Sequence, residues 1–318
     1  MQTIRFPIRN PVLIGDLLDP EKDVPALDVT AHLFLPKRYG RGTPAVVVME
    51  GLGGLIRSRE YRYGRWLAEN GYAALVVDSF GSRGAQPLSH PRRALEVTES
   101  MLLADAFGAL RFLARHSLVD RRRIHVMGFS YGAMITVLAA YENVARAYMG
   151  GDEARFAGHV SYYGCSVARV EAPRATGAPV LMMLGGLDKN VSISRSRLIA
   201  GDLRAGGAAV EMKVFENIYH QWDGEDETIR FVPFNLSHCR MRLGTDYKIR
   251  DERTGIAMRG KKSRALLIAS SVWSGYHILQ DRETHRRSDE MLLAFLDAAS
   301  SRNMAGAGLP LRAVAAPR

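Results

Sequence analysis

Cysteine is nearly missing from this chain of 318 residues, which holds only Cys165 and Cys239. Two thiols are too few for a disulfide framework, and neither stands in a C-x-x-C spacing, so neither a disulfide scaffold nor a cysteine-ligated zinc site organises the fold. The nine histidines are scattered, and the pair His238-Cys239 has no second pair at zinc-site spacing; no metal and no cofactor is expected. Long apolar runs are also missing. Nowhere do about 18 consecutive apolar residues suggest a membrane span, and the opening MQTIRFPIRNPVL lacks the apolar core of a signal peptide. The expectation is a cytoplasmic protein, although a mature exported form without its signal peptide would read the same. Acids are in deficit, 33 against 43 Lys and Arg, for a net charge of +10. Such a surplus permits nucleic-acid binding. Here, however, it is spread over helix faces such as RALEVTESMLLADAFGALRFLARH, and the denser tract from Arg240 to Arg264 also carries acids. No aromatic-and-basic motif accompanies it, so no nucleic-acid partner is expected.

What the chain does have is alternation of element types. VTAHLFL (29–35) alternates like a half-buried strand, whereas AVVVM (45–49) and AALVV (73–77) are continuous apolar runs of the kind buried on both faces of a parallel sheet. SREYRYGRWLAENG between them reads as a helix stopped at Gly71, and a second helix over about 92–116 leads to the strand RIHVM. HVSYY (159–163), PVLMML (179–184) and VEMKVF (210–215) read as further strands, with SISRSRLIAGDLRAGG as a helix before the last. The pattern predicts an α/β fold, a mostly parallel sheet with helices on both faces. It fails over residues 224–285, which lack clean periodicity before RRSDEMLLAFLDAAS resumes a helix. A structureless loop of that length is unusual in a compact domain, so this segment is expected to be an insertion with structure of its own, a lid or cap. The expected layout is one domain over 1–300 and a disordered tail over 301–318.

At the end of RIHVM stands VMGFSYGAM, with Gly128-Phe129-Ser130-Tyr131-Gly132 between a strand and the apolar helix AMITVLAAY. With 30 glycines in the chain, a Gly-x-Ser-x-Gly string arises by chance roughly 0.2 times, so its placement must carry the argument. A strand-to-helix turn projects the serine hydroxyl where a base can reach it, and the helix N-terminus favours a developing oxyanion. Chain order is a second test. Asp188 follows PVLMMLGGL and His220 follows VEMKVFENIY, each just past a predicted strand and in the order acid, then histidine. In these roles His220 takes the Ser130 proton and Asp188 fixes the imidazole tautomer. MEGLGGL (49–55) ends another strand, so the NH of Gly51 or Leu52, together with that of Tyr131, is the candidate oxyanion hole.

The linked segments VVVMEGLGGL, YRYGRWLAENGYAALVVDSFGSRG, GFSYGA, YYGC, GGLD and YHQWDG resemble the dienelactone hydrolase family, over roughly residues 28–223 and the final helix. The resemblance implies an α/β-hydrolase fold and a cofactor-free hydrolase of small-molecule esters or lactones. It matches Ser130, Asp188 and His220 to nucleophile, acid and base, and Glu50 to a glutamate that tunes the nucleophile's ionisation. Arg83, in DSFGSRG, falls near an arginine that holds a substrate carboxylate; the competing reading pairs it with Asp78 or Glu50. The namesake enzymes use cysteine at the nucleophile position, and this chain has Ser130. A serine needs full general-base help, which points to ordinary ester hydrolysis through an acyl-enzyme.

Trp222, Phe231, Phe234, Trp273 and Tyr276 are the aromatics by which the insertion would shape a substrate pocket, with Trp222 the candidate contact; the competing reading makes them the insertion's own core. Cys165 is expected to be a small buried residue. The same triad would serve an esterase that depolymerises polyesters or aromatic esters, or a peptidase-like hydrolase, and a non-catalytic small-molecule binder on this fold is the reading from another class. Oligomeric state is left open.

Overall fold

A computed structural model describes residues 1–164, 168–271 and 275–305. Strands β1 (Gln2–Arg9), β2 (Ala26–Phe34), β3 (Thr43–Met49), β4 (Ala73–Asp78), β5 (Val119–Phe129), β6 (His159–Tyr162), β7 (Ala168–Val170), β8 (Val180–Gly185) and β9 (Val210–Phe215) build the first two thirds of the chain. All except β7 join one eight-stranded sheet in the order β1-β2-β4-β3-β5-β6-β8-β9. The β1–β2 and β2–β4 pairs are antiparallel and the remaining pairs parallel. This is the mostly parallel sheet that the apolar runs predict.

Helices α1 (Glu60–Glu69), α2 (His90–Glu96), α3 (Glu99–Arg115), α4 (Tyr131–Leu138), α5 (Glu142–Met149) and α6 (Ile193–Ala205) fall between the strands. The runs are continuous because both faces of the sheet are covered. Along β3, Ala45, Val47 and Met49 join the core formed with α3, α4, α5 and α6, while Val46 and Val48 join the opposite core. That second core contains Tyr63 and Leu67 of α1 and Leu292 and Leu296 of the last helix, α8 (Arg282–Ala305).

Three boundaries differ from the sequence reading. The N-terminal segment is an edge strand, β1, which buries Phe6 and Ile8; Pro7 lies between them, where an edge strand tolerates the lost donor. The helix expected over 92–116 is two helices. Thr98 interrupts it, its side chain accepting from the Met101 amide at 3.3 Å as the N-cap of α3. The helix α8 continues through residues 301–305, part of the segment read as a disordered tail; residues 306–318 lie outside the described residues, as do Cys165 and Trp273.

Residues 224–285 carry structure of their own. Strand β10 (Arg230–Val232) pairs antiparallel with β13 (Tyr276–Ile278), and β11 (Met241–Leu243) lies between β12 (Ile249–Asp251) and β7, parallel to the latter. Helix α7 (Lys261–Ser271) lies against α2, where Arg264 Nε donates to the Ala94 carbonyl at 2.6 Å. The segment is also tied to the main sheet's loops. His220 and Ile278 form a parallel bridge, and the Leu279 amide donates to the His220 carbonyl at 3.3 Å.

Candidate active site

Ser130 sits between β5 and α4 with φ 50° and ψ −107°, a strained conformation for a residue with a side chain. Neighbouring backbone holds it there: its amide donates to the Tyr162 carbonyl at 2.9 Å. The flanking glycines have a steric cause. A Cβ on Gly128 would lie 2.5 Å from the Gly132 backbone, and one on Gly132 would lie 2.5 Å from the carbonyl oxygens of Met49 and Glu50. The turn can pack against β3 only if both positions lack side chains.

The loops after β8 and β9 bring Asp188 and His220 to this turn. His220 Nε2 lies 3.1 Å from Ser130 Oγ, and His220 Nδ1 lies 2.5 Å from Asp188 Oδ2. Asp188 Oδ1 accepts from the Asn190 amide at 2.8 Å, which leaves Oδ2 for the imidazole. All three side chains are buried. With a carboxylate at Nδ1, that nitrogen carries the proton, so Nε2 presents its lone pair to the hydroxyl. The imidazole is packed by the rings of Tyr163 and Tyr276, with centroids at 4.6 and 4.8 Å. One belongs to the strand core and the other to the insertion.

The cavity in front of Ser130 has a volume of about 200 Å³. Leu52 and Tyr131 line its core side, and Val232, Phe234, Leu236 and Tyr276 of the insertion close over it. Of the two candidate donors after β3, the Gly51 amide is directed at the buried Glu60 carboxylate at 3.4 Å, whereas Leu52 lines the cavity with Tyr131.

Glu50 is wholly buried, its Oε1 accepting from the Phe80 amide at 2.8 Å, while Oε2 has no hydrogen-bond partner among the described residues. Burial drives its pKa well above the usual carboxylate range; the Phe80 amide opposes this, and the charges of Asp78 and Glu60 add to it.

Two of the expected substrate contacts are not brought to the cavity. Arg83 donates to both carboxylate oxygens of Asp105 at 2.8 Å, to Asn10 Oδ1 at 2.8 and 3.1 Å, and to the Ser79 carbonyl at 2.9 Å. Its guanidinium is consumed by structure, with Asp105 as the partner and not Asp78 or Glu50. Trp222 is buried in the core, donating to Ser288 Oγ at 3.1 Å and packing edge-on against Phe215 and Tyr163. Among the insertion's aromatics, Phe234 and Tyr276 face the cavity, while Phe231 is exposed beside His277.

The sequence reading missed His90, Asn190, Gln221 and Arg230, all of which line the cavity. Asn190 and Gln221 were reachable as near neighbours of the acid and the base. His90 opens α2 and Arg230 opens β10, and no local pattern announces their approach to the cavity. Burial, with Arg93 and Arg230 nearby, lowers the His90 pKa. Among the described residues, no group of three or more His, Cys, Asp or Glu side chains could hold a metal ion, and no helix is long and apolar enough to cross a membrane.

A serine on a strained strand-to-helix turn, with acid and histidine following on later strands of a parallel sheet, defines the α/β-hydrolase class. The model of the dienelactone hydrolase family matches residues 29–233, and the chain belongs to that family. A Bradyrhizobium protein provisionally named a 2-oxo-3-(5-oxofuran-2-ylidene)propanoate lactonase is 28% identical over 166 residues, covering 50% of this chain and 64% of that protein. The Bacillus subtilis protein YtmA, named an uncharacterized peptidase, is 32% identical over 149 residues, covering 36% of this chain and 54% of its own length. The chain thus spans less than two thirds of either of these relatives. A solved structure titled m3DLH shares the fold over 94% of this chain and 97% of its own, with a TM-score of 0.53 and 17% identity.

Proposed function

We propose that this protein hydrolyses a carboxylic ester or lactone through an acyl-enzyme on Ser130. The observation that carries the reading is the continuous line from Ser130 Oγ through His220 to Asp188, at 3.1 and 2.5 Å, with the serine held at φ 50°. As Ser130 Oγ bonds to the substrate carbonyl carbon, its proton passes to His220 Nε2 and the carbonyl electron pair moves onto oxygen. The amides of Leu52 and Tyr131 receive that oxyanion; Gly51 is passed over because its amide serves Glu60. Collapse expels the alcohol, which takes the proton from His220. A water molecule then attacks the acyl-enzyme by the same route and releases the acid. Asp188 holds Nδ1–H throughout and stabilises the imidazolium.

Glu50 fits a tuning role. A neutral carboxyl beside the turn adds no negative charge that would oppose the oxyanion, whereas an ionised one would. Residues 224–285 act as a cap over the cavity.

The test is labelling with a fluorophosphonate, in which Ser130 Oγ bonds to phosphorus and fluoride leaves, alongside turnover of p-nitrophenyl esters. Labelling and turnover that vanish together in a folded Ser130→Ala protein are the expected result. Ester turnover retained by Ser130→Ala would overturn the nucleophile assignment, and a folded wild type that neither labels nor hydrolyses would leave the chain a binding protein.

A further inference from the structure

Next to the cavity at Ser130 lies a second one of about 50 Å³, between helices α3 and α4 and the insertion. Leu103, Met134, Leu138, Met241, Met258 and Leu267 are among the side chains around it. Its polar lining is the Ser100 hydroxyl, the Cys239 thiol and the pair Glu99–Arg264, which meet at 2.6 and 3.0 Å. Leu236 faces both cavities. It follows β10 within residues 224–285, so a leucine side chain on a loop stands at the boundary between the cavity at Ser130 and the second chamber.

We propose that this chamber receives the distal carbons of the substrate's acyl chain once Leu236 turns aside, so that Leu236 sets acyl-chain length. The inference rests on the hydrolase reading and adds a substrate class to it: esters of straight, medium-length aliphatic acids. Three physical points support it. The lining is mostly apolar, so an alkyl chain entering it displaces few well-bonded waters. Unfilled space in a core forfeits dispersion contacts that a chain would restore. Methionines on two sides of the chamber, Met134 on α4 with Met241 and Met258 in the insertion, can change rotamer to follow chains of different length. The front cavity accommodates a short acyl group by itself, so discrimination by length begins only where the chain must pass Leu236.

The readout is the ratio of kcat/KM for p-nitrophenyl octanoate to that for the acetate, in wild type, Leu236→Ala and Leu103→Phe, each checked for folding by a thermal melt. Leu236→Ala opens that boundary and should raise the ratio by about tenfold, the worth of roughly two further buried methylenes. Leu103→Phe fills the chamber from its far wall and should lower the ratio by about the same factor. Should Leu103→Phe fail to fold, Leu138→Phe replaces it. A ratio that stays within about twofold of wild type in either variant overturns the proposal, since a chain bound elsewhere would not respond to this wall. The absence of serine-dependent turnover on any ester would overturn the hydrolase reading instead. The chamber is then judged by thermal stabilisation with octanoate, which should appear in wild type and be lost in the filled variant; equal shifts in both would overturn it.

Discussion

Arg264, on helix α7, donates to the Tyr131 hydroxyl at 2.9 Å, so the segment over the cavity holds the residue that follows Ser130. The same guanidinium holds Glu99, and Glu99 accepts from Tyr131 at 2.9 Å. Burial by itself would raise the Glu99 pKa, but the Arg264 charge and hydrogen bonds outweigh it and hold the carboxyl below its ordinary value. Arg264→Gln leaves that carboxylate buried without its cation and should cost about 3–5 kcal/mol of stability. The double variant Glu99→Gln/Arg264→Gln removes both charges and should regain most of this. If the contacts orient the Tyr131 amide toward the oxyanion, kcat of the double variant stays about tenfold low with KM little changed. Recovery of kcat together with stability would reduce the pair to a structural clamp. Urea melts and steady-state kinetics on the same preparations separate the two.

Asp188→Asn keeps the shape of the site but offers an amide where Nδ1–H needs a carboxylate. The imidazole then loses both its tautomer preference and the stabilisation of its charged form, and kcat should fall about 10⁴-fold with the fold intact. A loss of under about tenfold would move the acid's role to another carboxylate, for which Asp223 is the nearest test; it is buried and accepts from Tyr163 at 2.6 Å.

Glu50 gives a pH test with a definite sign. Its folded pKa is raised, chiefly by burial, so the unfolded chain loses that proton first as pH rises above the ordinary carboxylate range. Its stabilising contribution is therefore full in acid and is lost as pH rises toward the folded value. Glu50→Gln keeps an acceptor for the Phe80 amide and removes the titration. Its stability relative to wild type should rise with pH, and if Glu50 tunes Ser130 the pH profile of kcat/KM should shift as well. Unfolding curves at several pH values with an unaltered rate profile would leave Glu50 a buried structural residue.

The meeting of Ser130, Asp188 and His220 was legible because a parallel sheet delivers each strand's C-terminal end to one edge, so the three could be placed together from strand ends and chain order alone. Arg83 was misplaced for the opposite reason. Its partners Asn10 and Asp105 come from the N-terminal segment and α3, and nothing local to DSFGSRG reveals that these two distant groups converge there. The edge strand β1 was readable from Ile4, Phe6 and Ile8, but Pro7 weakened the pattern. Within residues 224–285, strands of three residues are too short to show a period, so Arg230 and Leu236 could not be assigned to the cavity from sequence, nor could Phe234 and Tyr276 be told from the exposed Phe231. Short elements of this kind take their conformation from what they pack on.

A last prediction concerns two histidines far from the chemistry. His125 on β5 and His159 on β6 are wholly buried on adjacent strands, where His125 Nε2 meets Ser300 Oγ and His159 Nδ1 meets the Thr136 carbonyl, each at 2.9 Å. Burial, reinforced by the neighbouring His159 and Arg123, pushes His125 down to about 3. Burial pushes His159 down to about 4, against the Thr136 carbonyl that favours its proton. An unfolded chain takes up both protons near the ordinary histidine value while the folded chain does not, so this stability is present above about pH 6.5 and is lost as pH falls toward 3–4. Between about pH 7.5 and about pH 5 the unfolding free energy should drop by up to about 4 kcal/mol from these two groups together. His125→Gln should remove about half of that slope while retaining a partner for Ser300. Urea unfolding at the two pH values measures it, and an unchanged slope in His125→Gln would place the acid sensitivity in other groups.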